Sequence, residues 1–319
     1  MLTIRKSGMQ TSVQDLGRTG FQKYGVVASG AMDPYSLRMA NLLVGNEENT
    51  AALEITLMGP AIQFDEDCII SICGGDLSPQ LDGKEIKSWR AILVTKGQTL
   101  TFGNPQSGSR CYMAIAGGVD VPEVMGSRST YLRATLGGFK GRALESGDQL
   151  AVGSARSRKD FLAQTGSWFV PSPHYSAEPV IRVTEGRQFN LFSEESRERF
   201  FSEPFSVNSQ SDRMGYRLDG PQLALSNKQE MISEAVVFGS IQVPSDGKPI
   251  ILMADRQTAG GYPKIAEAIT ADLPLISQLK PGDRLRFTKV TIEEAQRLLR
   301  LQEKTMNCLK NAIRLKRGI

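Results

Sequence analysis

Residues 254–266, ADRQTAGGYPKIA, set Asp255, Arg256, Gln257 and Thr258 side by side, then two glycines, Tyr262 and Lys264. A carboxylate, a guanidinium, an amide and a hydroxyl in succession can hold an anion and move protons. Arginine presents a planar fork that matches a carboxylate. Gly260 and Gly261 let the backbone come close to a ligand. The stretch follows the apolar run PIILM, and polar loops held by packed strands are where function concentrates. Three further clusters share its character: SVQDLGRTG, with Gln14, Asp15 and Arg18; ASGAMDPYSLRMAN, with Ser29, Asp33 and Asn41; and QSDRMGYRLDGP, with Asp212, Arg213 and Arg217, followed by Glu234. Each has a plainer reading, in which ion pairs tie loops together and Asp33 caps a helix. Asn41 falls inside a helical pattern, where a buried amide must find partners in a loop or a ligand.

Other chemistry is excluded by what the chain lacks. Its one histidine, His174, sits in the proline- and serine-rich connector WFVPSPHYSAEP. A histidine-based zinc site or a Ser–His–Asp triad is therefore not expected, and no metal site is assigned. Acid–base work falls to Asp, Glu, Lys, Tyr or an activated water. There is no Walker-type phosphate loop, no Met-Lys-Met biotin-attachment tripeptide, and no glycine fingerprint leading into a helix. A formal net charge of +4 is too mild and too dispersed to argue for nucleic acid. The longest apolar runs are too short to span a bilayer, and the N-terminus lacks a signal-type apolar core. Cys68 and Cys73, five apart in a strand, should face opposite ways as buried apolar groups of a reducing compartment, so the expected location is cytoplasmic.

The elements that must carry these clusters read as mainly β. AIQF, CIISIC, AILVTKG, QTLTFG, CYMAIAGG and PIILMA are short β-branched or aromatic runs separated by turns, a pattern of barrels or sandwiches. Helices are few. One starts at Asp33-Pro34 and stops at Gly45, a second follows Ser193, and a third opens on the capping box Thr291–Glu294. Leu298, Leu301, Thr305, Leu309 and Ala312 are expected to form the apolar stripe of the third. Its Lys310, Arg314, Lys316 and Arg317 suit the negative helix end. ALEITLMGPAIQF echoes ISEAVVFGSIQVP, aligning Glu54 with Glu234. The echo suggests two related β domains, over 1–155 and 181–290, with an insert near 65–105, a linker over 156–180 and a C-terminal helix over 291–319.

SVQDLGRTGFQKYGVVASGAMDPYSLRMANLLVGN, AALEITLMGP, SDRMGYRL, SEAVVFGSIQVP and ILMADRQTAGGYPKIA together resemble the carboxyltransferase A/B-subdomain family over roughly residues 3–290. That family includes the C subunit of 5-oxoprolinase, the kinase-inhibitor antagonist KipA, allophanate-hydrolase subunit 2 and the transferase part of urea carboxylase. The resemblance implies two cyclophilin-like β-barrel domains with a few short helices and a C-terminal helix. It also implies ATP-dependent ring opening of 5-oxoproline to glutamate, shared with separate A and B subunits. With no phosphate loop in the chain, ATP is expected to bind on a partner subunit, the alternative being a cradle at SGAMD beside a helix N-terminus. Arg256 would hold a carboxylate, and Gln257 and Thr258 the amide. Glu234, Asp255 and Lys264 are the candidates for proton transfer, and Arg213, Tyr262, Asp15, Arg18 and Asn41 for substrate contact. The competing function is regulatory, a protein that antagonises a sensor-kinase inhibitor through a B-subunit-like partner. Prolyl isomerisation would rest on fold analogy alone.

Overall fold

The computed structural model describes residues 1–154, 169–227 and 230–316. The expected linker therefore lies partly outside the described residues, as does Arg317. The chain divides into two units. The first comprises Met1–Arg18, Ser29–His174 and Lys304–Ile319; the second comprises Thr19–Ala28 and Tyr175–Glu303.

The first unit holds β1 (Leu2–Lys6), β2 (Gln10–Gln14), β3 (Ala52–Thr56), β4 (Ala61–Phe64), β5 (Cys68–Asp76), β6 (Pro79–Leu81), β7 (Lys84–Glu85), β8 (Ala91–Val94), β9 (Thr99–Phe102), β10 (Ser107–Ile115), β11 (Val119–Asp120) and β12 (Gln149–Val152). They form a seven-stranded sheet, β11-β12-β1-β4-β9-β6-β7, and a five-stranded sheet, β2-β3-β10-β5-β8. Period-two alternation builds two cores from one sheet. Cys68, Ile70, Ile72, Cys111 and Met113 pack with β1, β4 and β9. Ile69, Cys73, Tyr112 and Ala114 face the other way, onto helix α1 (Pro34–Val44). Cys68 and Cys73 thus occupy opposite faces, as their spacing predicts. Segment 65–105 is built into the unit: Ile70, Leu77, Leu81, Val94 and Leu100 are core residues, and its strands belong to both sheets. Its hairpin turns on Asp82-Gly83, both at positive φ, as a two-residue loop of this kind requires.

The second unit is a closed barrel, β13-β20-β17-β18-β15-β14-β21, formed by β13 (Val180–Glu185), β14 (Phe205–Val207), β15 (Gly215–Asp219), β17 (Ser240–Gln242), β18 (Ile250–Leu252), β20 (Lys264–Ala268) and β21 (Arg284–Lys289). A separate ribbon pairs β16 (Glu234–Ala235) with β19 (Ala259–Gly260). Helix α2 (Glu194–Ser202) is capped by Ser193 and adds Phe200, which stacks on Phe287 at 4.5 Å. A short α3 (Leu273–Ser277) follows β20. The echoed segments take different partners in the two units. β3 pairs with β2 and β10, whereas β16 pairs with β19, so the echo is not a repeat of strand pairing.

Helix α4 spans Ile292–Lys316, and Thr291 Oγ1 accepts from Glu294 N at 3.2 Å. Its apolar face differs from the predicted stripe. Met306 and Ile313 are buried and Leu309 packs against them, while Leu301 is 53% exposed. The 306–309–313 spacing fits the helical period as well as the stripe read from sequence does, and only packing on the α1 core selects between them. Lys310 adds an ion pair to Glu48 at 2.6 Å, and Arg38 binds the same carboxylate. Together they hold that carboxyl below its usual range, against the opposing effect of burial.

Candidate functional site

The first-unit candidates Asp15, Arg18 and Asn41 bond to neighbouring loops. Asp15 is buried. Its carboxylate accepts from the hydroxyls of Ser127 and Ser129 and from the N–H groups of Gly17 and Arg128. Arg18 is fully buried and donates to the Ser129 carbonyl. A Cβ on Gly137 would lie 2.5 Å from its guanidinium, so the loop at Gly137 needs a glycine there. Asn41 donates to the carbonyls of Glu48 and Thr50 and accepts from Asn46, fixing the turn after its own helix. Of the two destinations expected for this amide, the loop is the one observed.

The SGAMD segment does not fit a phosphate. Asp33 caps α1, its carboxylate accepting from the N–H and hydroxyl of Ser36. The N–H of Ala31 goes to the Asp15 carbonyl, that of Met32 to Glu54, and that of Asp33 to the Tyr112 hydroxyl. Donors that would cradle an anion are spent, and a buried carboxylate stands in the anion's place.

In the second unit the remaining candidates gather around β16, β19 and β20. The runs 234–240 and 252–260 lie side by side: Glu234 pairs with Gly260, Val236 N donates to Thr258 O, and Gly239 N donates to Leu252 O. This places the 254–266 stretch against Glu234, two segments that the sequence separates. Arg213 and Asp255 face each other in a bidentate pair, Nε–Oδ2 and Nη2–Oδ1 both at 3.0 Å, each side chain 5% exposed. They neutralise one another, which makes them a girder under the loop.

Arg256 is left differently. Its Nη1 makes one long bond to the Met253 carbonyl at 3.4 Å, and its guanidinium lies 5.8 Å from the Phe238 ring. Its Nε is buried without a hydrogen-bond partner among the described residues. Burial lowers its pKa, and the neighbouring Asp255 only partly offsets this. An under-neutralised guanidinium of this kind has the charge and donors to receive an anion. Gln257 and Thr258 stand half-buried beside it. Tyr262 is half-exposed and lines a cleft of about 640 Å³ with Phe192, Leu225, Met231, Val243 and Pro263.

Lys264 is buried, and its ammonium lies 3.1 Å from Glu234 Oε1 and 3.2 Å from the Ala235 carbonyl. Glu234 also accepts from Gln188 at 2.9 Å and Arg187 at 2.8 Å. Gln188, Lys264 and Arg187 hold its carboxyl below the usual range. Glu234 is therefore an ionised anchor for the lysine ammonium.

Glu267, Gln188 and Arg187 escaped the sequence reading. Lys264 and Glu267, three apart, belong on opposite faces of a regular strand. The β17–β20 ladder, however, shifts register between Ile241 and Gln242, so β20 carries one extra residue. This bulge turns Lys264 toward the Glu267 side, and the ammonium lies 4.0 Å from Glu267 Oε1. Gly186 clamps the bulge, its N–H bonded to the Ile265 carbonyl at 2.9 Å. A Cβ on Gly186 would sit 2.4 Å from the Lys264 carbonyl. The sequence signal for such a bulge is weak: a glycine remote from the strand it serves.

The carboxyltransferase domain model, subdomains A and B, matches residues 24–289. The chain belongs to the carboxyltransferase A/B-subdomain family. Similar members include the C subunit of 5-oxoprolinase from Escherichia coli K12, 41% identical over 92% of this chain and 93% of that one. The Haemophilus influenzae protein of the same name is 38% identical over 95% and 96%. The crystal structure of Kluyveromyces lactis urea amidolyase superposes with a TM-score of 0.87 at 33% identity, covering 96% of this chain and 20% of that protein. The mainly β architecture is thus that of the family. Among the described residues no helix is long and apolar enough to cross a membrane.

Proposed function

We propose that this carboxyltransferase-family chain is the C-type component of an amide-hydrolysing complex that opens 5-oxoproline to glutamate. The observation that carries the reading is the under-neutralised guanidinium of Arg256, beside an amide and a hydroxyl and on the loop that faces Glu234 and Lys264. 5-Oxoproline is a cyclic amide bearing one carboxylate, and Arg256 supplies the counter-charge for it. Gln257 and Thr258 supply hydrogen bonds to the lactam. Lys264, ion-paired with Glu234 at 3.1 Å, polarises a carbonyl oxygen. Two relatives matched over nearly their whole length are named as the C subunit of 5-oxoprolinase, which supports assembly with other subunits. ATP would activate the amide, and it is held by a partner subunit, because this chain's one candidate cradle is filled by its own carboxylates and backbone bonds. The A- and B-type subunits are the partners.

Carboxylate recognition can be separated from folding. In the reconstituted complex, Arg256→Ala should lower kcat/KM for 5-oxoproline roughly 10–100-fold, the range for loss of a charge-assisted bond. The same substitution should leave turnover of 2-pyrrolidinone, which lacks the carboxylate, unchanged. An equal loss on both substrates would assign Arg256 to loop structure instead.

A further inference from the structure

The first unit holds a cavity of about 370 Å³ that the amide-hydrolysing reading leaves without a role. That volume falls within the roughly 300–1,000 Å³ usual for small-molecule sites. Val121, Pro122, Val124 and Phe139 give it apolar walls, and Asp120 and Lys140 bring opposite charges to the same lining. Phe139 packs against the core that β1, β4 and β9 share, which fixes one wall. The two charged groups have no ion pair among the described residues, with each other or with anything else. Lys140 is exposed, and its ammonium lies 5.1 Å from the Phe139 ring. Asp120 ends β11, and its exposed carboxylate accepts no hydrogen bond among the described residues. The neighbouring Arg142 is already bound, both of its Nη atoms donating to Asp148 at 2.7 Å.

The main chain of the same lining adds donors. The N–H groups of Gly138, Phe139 and Lys140 find no acceptor among the described residues. Those that follow do: Gly141 N donates to the Gly137 carbonyl at 2.9 Å, and Arg142 N to the Phe139 carbonyl at 3.2 Å. Gly138 and Lys140 have φ of 54° and 56°, while Phe139 between them is not at positive φ. Alternation of this kind gathers successive N–H groups into an anion-binding concavity. The chemistry of the lining then selects the ligand. A phosphate or a simple carboxylic acid would suit the N–H groups and Lys140 but would set a like charge beside Asp120. An amine would suit Asp120 and leave the N–H groups without an acceptor. A zwitterion with an apolar chain satisfies the donors, both charges and the walls together.

We propose that this cavity is a binding site for a free amino acid with an apolar side chain. The carboxylate takes the Gly138–Lys140 N–H groups and the Lys140 ammonium, the amino group takes Asp120, and the side chain lies against Phe139 and Val121. The site does not rest on the amide-hydrolysing reading.

The test is calorimetric titration of the full chain with three probes of one shape: L-leucine, 4-methylpentanoate, which lacks the amino group, and 3-methylbutylamine, which lacks the carboxylate. Leucine should bind at least roughly tenfold more tightly than either, the effect of one charge-assisted contact. Asp120→Asn should remove the advantage of leucine over 4-methylpentanoate. Lys140→Gly, which suits the positive φ and removes the ammonium, should shrink the advantage over the amine. In backbone-amide NMR, leucine should move the signals of Gly138, Phe139 and Lys140. No leucine binding up to about 10 mM, weaker than almost any specific small-molecule site, would overturn the proposal. Equal binding of the three probes, or tighter binding of inorganic phosphate than of leucine, would overturn it as well. So would leucine binding that leaves those three amides in place and is the same in both variants, since the ligand would then lie elsewhere.

Discussion

Two arginines and two acids of the second unit, equivalent by composition, are sorted by their partners. Arg213 and Asp255 satisfy each other in a buried bidentate pair. Breaking such a pair leaves an uncompensated buried charge. Asp255→Ala should therefore cost about 3–5 kcal/mol in denaturant unfolding. Arg256→Ala, which removes a guanidinium short of partners, should leave the unfolding midpoint nearly unchanged. Equal destabilisation by the two would contradict the division into girder and receptor. Glu267 carries a pH signature of defined sign. Its folded carboxyl has a raised pKa, so its stabilising contribution is present below the ordinary glutamate value and lost as pH rises through the folded value. Glu267→Gln should flatten the decline in stability across that window, and a steeper decline would count against the neutral form. Residue types were legible from sequence, but this sorting was not, because the partners lie up to 42 positions away.

The decisive element is an irregular one. Lys264 and Glu267 meet because β20 holds an extra residue, and the bulge survives because Gly186 lets a backbone approach its carbonyl and N–H groups. Gly186→Ala should lower stability by about 1–3 kcal/mol, the usual cost of overpacking. It should also reduce activity more than its stability loss explains, as Lys264 shifts. Full activity in that variant would remove the bulge from the account. Helix α4 makes the complementary point. Met306→Ala should cost about 2–5 kcal/mol, as for other buried large-to-small changes. Leu301→Ala, on the face read as apolar from sequence, should cost less than about 0.5 kcal/mol. Caps and turns were legible because they are local: Asp33, Gly45, Ser193 and Asp82-Gly83 all do what their types predict. Helix facing and strand bulges depend on distant partners, so local pattern could not determine them.

At the scale of the whole molecule, the mainly β class followed from short strands with glycine punctuation, and the closed second-unit barrel fits that pattern. The echoed segments pair differently in the two units, so the echo does not extend to strand pairing. Strand pairing is a long-range property that short matches do not carry. In the first unit, Asp15, Arg18 and Asn41 each tie neighbouring loops. In the second unit, Arg256 Nε is buried without a hydrogen-bond partner among the described residues, and the proposed function rests on it. The measurement that decides most is glutamate release from 5-oxoproline with ATP, comparing this chain alone, the A- and B-type subunits alone, and the three together. The account predicts glutamate only from the complete, ATP-supplied mixture, and its collapse when Arg256→Ala replaces the wild-type chain. Release by the A- and B-type subunits without this chain, or undiminished release with the variant, would contradict it.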